Sequence, residues 1–236
     1  MRRQKVNRKM GFGMTIKWSY SSINLFQQCP RKYYHLRVAK DIVEPESEAM
    51  NYGTLVHKAA EDYIKDGTLV PENLSYITPA LDMLKKIPGE KYCEHKMGLT
   101  AELKPCGFFD DDVWFRGVAD LLVIKDGVAH IVDYKTGKSA QYADVKQLEL
   151  MALAVFKHFP DVTKVKAGLA FLVANDLVTA SFIKEQAGET WIKWIQATDR
   201  LQASYDNDVW NAKPNFTCRK FCAVMDCEHN GKGIYR

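Results

Sequence analysis

Several features are missing from this 236-residue sequence, and each absence narrows the possibilities. It has no apolar run long enough to cross a membrane and no stretch with the pattern of a signal peptide, so we expect a cytoplasmic protein without membrane contact. No internal repeat or low-complexity linker divides it. Since 47% of the residues are apolar, we expect one well-buried domain over residues 18–236, preceded by a basic arm over residues 1–17.

A large net charge is also absent, because the 33 Lys and Arg residues are nearly balanced by 29 Asp and Glu residues. A nucleic acid would therefore meet local basic patches rather than a uniformly basic surface. Basic residues concentrate at 1–17, at 31–40 and at Arg219-Lys220. Aromatic residues interleave with the first two patches, which suits either a groove that stacks single-stranded bases or the cover of a core. They are Trp18, Tyr20, Phe26, Tyr33 and Tyr34.

The most informative segment is 117–137, which contains two runs typical of β-strands. Asp126-Gly127 between the runs predicts a hairpin with a type I′ turn. Pairing Lys125 with Val128 and counting outward then places Asp120 opposite Asp133, with their Cβ atoms roughly 5 Å apart.

Charged side chains on this predicted face are unexpected because their neighbours are apolar. Two facing carboxylates repel each other unless one keeps its proton or a cation lies between them. Lys135, two residues after Asp133, emerges on the same face. One aspartate at a fraying strand end could simply pair with Lys135, but three charged groups together favour a catalytic metal site.

Two predicted helices supply further candidates. His57 lies beside the apolar stripe of a helix over about residues 53–65, so it is expected to face the core as a metal ligand or as a satisfied core histidine. Gln147 lies next to the stripe of a helix over about 143–159. It is expected either to cap a backbone group or to act near the active site.

The six cysteines form a separate signal, because disulfides are rare in the cytoplasm. Cys218, Cys222 and Cys227 crowd one short segment, and Cys29 lies far away in sequence. Three clustered thiols and a fourth would complete a tetrahedral or cluster site, with His229 as a substitute ligand. The remaining two, Cys93 and Cys106, are expected to be small buried hydrophobes.

These residues resemble a known family. Asp120, followed after a hairpin by Asp133-Tyr134-Lys135, resembles the PD-(D/E)xK nuclease signature. The segment 53–61 is similar to the histidine-bearing helix of the RecB-like exonuclease branch, and 147–150 resembles its glutamine motif. Met151 stands where the branch usually carries a tyrosine. With an opening segment that is also similar, the resemblance covers about residues 18–227.

The resemblance implies an α/β fold with a restriction-endonuclease-like core, a mixed central sheet flanked by helices. It also implies a divalent-metal-dependent deoxyribonuclease. Mg²⁺ or Mn²⁺ would be held by His57, Asp120, Asp133 and the main-chain carbonyl of Tyr134. Lys135 would orient the attacking water or steady the developing charge, with Gln147 beside it.

The same resemblance bears on the cysteines. AddB nucleases and CRISPR adaptation nucleases hold a four-cysteine iron-sulfur cluster with one early and three late cysteines. Cys29, Cys218, Cys222 and Cys227 follow that order, although the middle late cysteine is shifted. A [4Fe-4S] cluster is expected, with Zn²⁺ as the alternative.

The expected role is an exonuclease in DNA recombination or repair, phage- or prophage-encoded because it stands apart from a helicase. Its substrate would be DNA that is single-stranded or has free ends, and a recombination protein is an expected partner. The alternatives are a structure-specific or restriction-type endonuclease, and a non-catalytic nucleic-acid-binding protein that keeps the fold.

Other elements follow from apolar periodicity. Helices are predicted near 22–38 and 79–86, three strands between about 93 and 133, and a second hairpin around Asn175-Asp176. A closing helix over 189–205 is expected to bury Trp191, Trp194 and Ile195.

Overall fold

The computed structural model describes residues 16–44, 46–141 and 143–232. Nearly all of the basic arm predicted for residues 1–17 lies outside these ranges. A six-stranded sheet in the order β2-β1-β3-β4-β5-β6 forms the centre of the fold. Its strands are β1 (Glu90–Leu99), β2 (Pro105–Cys106), β3 (Phe115–Lys125), β4 (Val128–Lys135), β5 (Lys164–Phe171) and β6 (Asp176–Ile183).

Helices flank this sheet, so the α/β architecture expected from the sequence is confirmed. They are α1 (Tyr20–Gln28), α2 (Pro30–Tyr33), α3 (Glu48–Asp66), α4 (Thr78–Lys85), α5 (Lys146–His158) and α6 (Ala187–Asn207). A π-helical segment, Tyr34–Ala39, continues α2, and three short 3₁₀ segments cover Glu72–Ile77, Lys184–Gln186 and Phe216–Arg219. None of the helices in the described part of the chain is both long and apolar enough to span a bilayer.

The β3–β4 hairpin follows the predicted register. Asp126 and Gly127 have φ angles of 49° and 73°, the positive values that a type I′ turn requires at both central positions. Lys125 pairs with Val128, and the pairing continues to Leu121 and Val132. Continuing the same count brings Asp120 and Asp133 to the open end of the hairpin.

The sheet is mixed because β4 and β5 are parallel, whereas every other neighbouring pair is antiparallel. A parallel pair needs a long crossover, and α5 supplies it between these two strands. One core layer lies between the sheet and helices α1, α5 and α6, and a second lies between the sheet and helices α3 and α4. The open end of the hairpin therefore lies between α3 on one face and α5 on the other.

The structure departs from the sequence predictions in three places. The single helix predicted over 22–38 breaks at Cys29, whose backbone is extended at φ −163° and ψ 108°, because a proline disfavours helical geometry in the residue before it. A short extra strand, β2, follows β1 in the chain and pairs with it at the edge of the sheet. Trp191 and Trp194 are buried as predicted, but Ile195 is 37% exposed.

Candidate active site

Asp120 and Asp133 lie just beyond the last residue pair of the β3–β4 hairpin, Leu121 and Val132, in different surroundings. Asp133 is buried, with 7% of its surface exposed, whereas Asp120 is half-buried. The backbone N–H of Tyr134 donates to Asp120 Oδ2 at 2.7 Å. This bond crosses the hairpin and fixes the Asp120 carboxylate beside the main chain of Tyr134.

His57, on α3, faces this carboxylate rather than a purely apolar core. Its Nδ1 lies 3.4 Å from Asp120 Oδ2, and its Nε2–H donates to the carbonyl oxygen of Tyr134 at 2.9 Å. The Asp120 carboxylate raises the pKa of His57, although burial of the ring opposes this shift. An imidazole with acceptors at both nitrogens is suited to carry positive charge here.

Glu94 is a candidate residue that the sequence patterns did not reveal. Pairing of Cys93 with Leu121 and of His95 with Ala119 places Glu94 opposite Asp120 on the neighbouring strand. Its φ of 48° is unusual within a strand. Only the pairing register of β1 with β3 could have revealed it, and the sequence has no short turn that fixes this register.

His57, Glu94 and Asp120 form a group that can hold a metal ion. One ligand atom from each lies within 4.8 Å of the other two. Burial and the nearby charge of Asp120 raise the pKa of Glu94, as expected of carboxylates that lack a cation between them. His57 and Glu94 of this group line a cleft of about 540 Å³. The two carboxylates supply the hard oxygen ligands that Mg²⁺ and Mn²⁺ prefer, and Mn²⁺ also accepts an imidazole nitrogen.

Asp133, Lys135 and Gln147 form a second group beside the first. Lys135 Nζ lies 2.5 Å from Asp133 Oδ2, and Gln147 donates from Nε2 to Asp133 Oδ1 at 2.6 Å. Lys135 Nζ also donates to Gln147 Oε1 at 3.2 Å. Each of the three side chains therefore contacts the other two, and Gln147 enters this arrangement from the first turn of α5.

The surroundings of Asp133 act on its pKa in opposite directions. Burial, and then repulsion from Asp120, raise the pKa of Asp133, while Lys135 and His57 oppose the rise. Of the ligands predicted from the sequence, His57 and Asp120 lie together beside the Tyr134 carbonyl, and Asp133 instead contacts Lys135 and Gln147. The structure thus brings all the predicted catalytic residues to one end of the hairpin and adds Glu94.

The four cysteines singled out in the sequence come from opposite ends of the described chain and meet at one place in the fold. Cys29, Cys218, Cys222 and Cys227 line one small cavity, together with His229, and all four thiols are free. The backbone N–H groups of Lys213 and Asn215 donate to the sulfur atoms of Cys29 and Cys218, each at 3.4 Å. The two remaining cysteines, Cys93 and Cys106, are half-buried elsewhere.

The thiols of this group affect one another electrostatically. Burial raises the pKa of Cys222, a backbone hydrogen bond at Val224 and the charge of Lys32 oppose the rise, and Cys218 and Cys29 add to it. Arg31 Nη1 lies 3.7 Å from Cys227 Sγ. A cation bound between the sulfur atoms would favour their ionised form, so the thiols form a candidate second metal centre.

Two proteins of known structure are similar in fold to this chain. A protein of known structure from Eubacterium rectale, provisionally described as an exonuclease, has 13% sequence identity and a TM-score of 0.52, over 87% of this chain and 86% of that chain. The crystal structure of SSO0001 has 13% identity and a TM-score of 0.42, over 94% and 90% of the two chains. No curated protein sequence matches.

A sequence model of one protein family matches most of the chain. The match covers residues 17–227 and belongs to the PD-(D/E)XK nuclease superfamily. That span includes β3 and β4 with the two acidic groups, α3 with His57 and α5 with Gln147. On this match, the chain is a member of the PD-(D/E)XK nuclease superfamily.

Proposed function

We propose that this protein is a divalent-metal-dependent deoxyribonuclease, and specifically an exonuclease that degrades DNA from free ends during recombination or repair in the cytoplasm. The observation that carries the proposal is the juxtaposition of two groups. His57, Glu94 and Asp120 form a metal-binding arrangement, and Lys135 lies beside it in contact with Asp133.

The two groups divide the chemistry between them. A Mg²⁺ or Mn²⁺ ion held by His57, Glu94, Asp120 and the Tyr134 carbonyl would supply Lewis acidity and make a bound water more acidic. Lys135 presents its ammonium group where charge develops on the phosphate. Contacts with Asp133 and Gln147 fix the position of that ammonium group, so little reorganisation is needed during the reaction.

An exonuclease and an endonuclease would carry the same residues, so the mode of cleavage needs its own experiment. Linear single-stranded DNA labelled at either end, linear duplex and circular single-stranded DNA are incubated with Mn²⁺, Mg²⁺ or EDTA. We expect linear molecules to shorten progressively from one end with either cation and circular molecules to persist. Equal cleavage of circles and linear strands would instead identify an endonuclease.

The same assay addresses the non-catalytic alternative. If neither cation supports cleavage of any substrate while the protein still binds DNA, the protein retains the fold as a binding module. The E. rectale protein is described as an exonuclease, which favours the exonuclease over the other two possibilities, although the likeness is one of fold.

We further propose that Cys29, Cys218, Cys222 and Cys227 hold a [4Fe-4S] cluster. The four cysteines line one cavity, and the sulfur atoms of Cys29 and Cys218 accept hydrogen bonds from backbone N–H groups. Such bonds to the sulfur atoms are typical of iron-sulfur clusters. Zn²⁺, with His229 as a replacement ligand, is the alternative.

A further inference from the structure

A groove of about 720 Å³ runs along the surface from the active site to the π-helical segment after α2. One wall is a single face of α1, with Tyr20, Asn24 and Gln28 at four-residue spacing. The other wall contains Phe108, from the loop between β2 and β3, and Arg116 at the start of β3. Amide, aromatic and cationic side chains therefore line the groove, and the carboxylate of Glu44, which also lines it, is paired with Lys32 at 2.7 Å.

Gln147 connects the groove to the catalytic groups. It lines the groove and also contacts Asp133 and Lys135. Arg116 and Asp120 lie on the same face of β3, because they are four residues apart, and are separated by ~13 Å along the strand. A polymer lying in the groove would thus pass from Arg116 to the site of cleavage.

Arg116 has unused capacity to bind an anion. Its Nε is buried and has no hydrogen-bond partner among the described residues, and no carboxylate in that part of the chain forms an ion pair with it. A buried donor without a partner is destabilising. The terminal nitrogens of the planar guanidinium group, which lines the groove, can donate to a phosphate oxygen.

Two phenylalanines adjoin this arginine. The guanidinium carbon of Arg116 lies 5.3 Å from the ring centroid of Phe108 and 5.9 Å from that of Phe109. Lys96 Nζ lies 5.9 Å and 5.4 Å from the same centroids. Phe109 is nevertheless 71% exposed, so a large apolar ring projects into solvent between two cations.

This combination discriminates between forms of DNA. Cations beside a ring are suited to hold the phosphates of a strand whose base stacks on that ring. The bases of a duplex are already paired and stacked, so an exposed phenylalanine can stack only on an unpaired base. Arg116 alone would bind either form, whereas Phe109 favours the single strand.

We propose that the groove binds single-stranded DNA and leads it to the active site, with Arg116 bound to a backbone phosphate and Phe109 stacked on a base. The proposal rests on the proposed nuclease function, because it identifies the form of DNA that reaches the catalytic residues. It assigns Arg116, Phe108 and Phe109 to substrate binding rather than to the chemical step.

Fluorescence anisotropy with labelled oligo(dT) and with a blunt duplex, in Ca²⁺ to prevent cleavage, tests the groove. Arg116→Ala and Phe109→Ala should each weaken oligo(dT) binding roughly 5- to 100-fold. Phe109→Ala should leave duplex binding within about twofold of the parent. Arg116→Ala should also reduce the salt-dependence slope for oligo(dT) by about 0.7, the value for one lost phosphate contact, whereas Phe109→Ala should not.

Two control variants and two contrary results determine whether the groove binds single-stranded DNA. Arg200→Ala on α6 and Leu69→Ala, both at exposed positions, should bind as the parent does, and no variant should melt below the parent temperature. Parental oligo(dT) binding by both Arg116→Ala and Phe109→Ala would overturn the proposal, as would equal losses on duplex and oligo(dT) by Phe109→Ala, which would indicate a duplex-binding groove.

Failure of the nuclease assignment would give a different result. If Asp133→Asn cleaves DNA as the parent does, or if the parent cleaves nothing, the nuclease assignment fails while the binding losses of the groove variants stand. If Asp133→Asn abolishes cleavage and the groove variants bind normally, the nuclease assignment stands and the groove assignment falls.

Discussion

His57 Nε2 lies 2.9 Å from the main-chain carbonyl oxygen of Tyr134. Two ligands bound at about 2.1 Å to one cation are roughly 3 Å apart when their bonds meet at a right angle. The two atoms therefore already lie at the separation that a shared Mg²⁺ or Mn²⁺ ion would require, and Nε2 would lose the proton of this hydrogen bond on becoming a ligand. Little movement of α3 relative to β4 is needed for both atoms to become ligands.

Replacement of either hairpin aspartate should abolish cleavage. We expect Asp120→Asn and Asp133→Asn to lower the cleavage rate by roughly 100- to 1,000-fold or more, with DNA binding retained. The melting temperature in EDTA should stay equal or rise, because one of two repelling charges is removed. Asp126→Asn, in the turn of the same hairpin, is the matched control, and parental cleavage by both site variants would contradict the assignment.

Lys135→Ala should separate catalysis from metal binding. The ammonium group is not a metal ligand, so calorimetry should show Mn²⁺ uptake close to that of the parent while cleavage is lost. Lys125→Ala, at the turn of the same hairpin, is the matched control and should cleave normally. Loss of Mn²⁺ uptake by Lys135→Ala would show that this lysine organises the metal site rather than the reacting phosphate.

Glu94 and His57 should set the affinity for metal. Glu94→Gln and His57→Ala should each require roughly tenfold or more Mn²⁺ for half-maximal cleavage, because each removes one ligand from the group. Glu90→Gln, on the same strand as Glu94, should follow the parental titration curve. If the curve for Glu94→Gln also overlays the parent, Glu94 is a strand residue without a role in metal binding.

The cysteine group should contain a metal and join distant parts of the chain. Anaerobically purified protein should be brown if the centre is [4Fe-4S] and colourless if it is Zn²⁺. In either case Cys29→Ala and Cys222→Ala should lower metal content and melting temperature together, because the centre closes a very long loop. Cys93→Ala should retain the metal, and absence of both iron and zinc from fresh parental protein would refute the assignment.

His130 should make the protein sensitive to acid. Burial, and then the charge of Lys166 opposite it on β5, lower the pKa of His130, and its neighbour on β3 is the uncharged Val123. The lowered pKa means that the fold prefers the neutral ring. Its contribution to stability is complete above the ordinary pKa of about 6.5 and is lost as the pH falls below that value.

Urea unfolding of the metal-free protein at pH 7.5 and pH 5 measures this effect. His130→Gln should reduce the difference in unfolding free energy between the two pH values, and Lys166→Gln should reduce it in part. An unchanged difference for His130→Gln would show that other groups cause the acid sensitivity.

Local turn chemistry made the core of the site predictable. Asp126-Gly127 specifies a type I′ turn, and a tight turn fixes every pair along its hairpin, so the positions of Asp120 and Asp133 followed by counting. Glu94 was missed because β1 joins β3 through the β2 segment and a long loop, which leave the register unspecified. The break at Cys29 was foreseeable from Pro30, but apolar periodicity outweighed that signal.

Met151 packs closely against β3 at a position where the family motif usually has another residue. A tyrosine is usual at this position in the RecB-like branch, but Met151 is buried. A Cβ added to Gly117 would lie 2.8 Å from its sulfur, so α5 packs closely on β3 at this point. Sequence comparison identified the unusual residue, and only the structure revealed the close contact with Gly117.

The position of each strand within the sheet determines how rigid its residues are. β4 has strands on both sides, whereas β2 pairs only with Gly98 and Leu99, so Glu94 has a strand neighbour on one side only within the described chain. Amide hydrogens around Asp133 should therefore exchange with solvent only when the whole domain opens, and those around Glu94 through local opening. Deuterium uptake should consequently fall on addition of Mn²⁺ mainly in β1 and α3, while β4 remains unchanged because it is already fully protected.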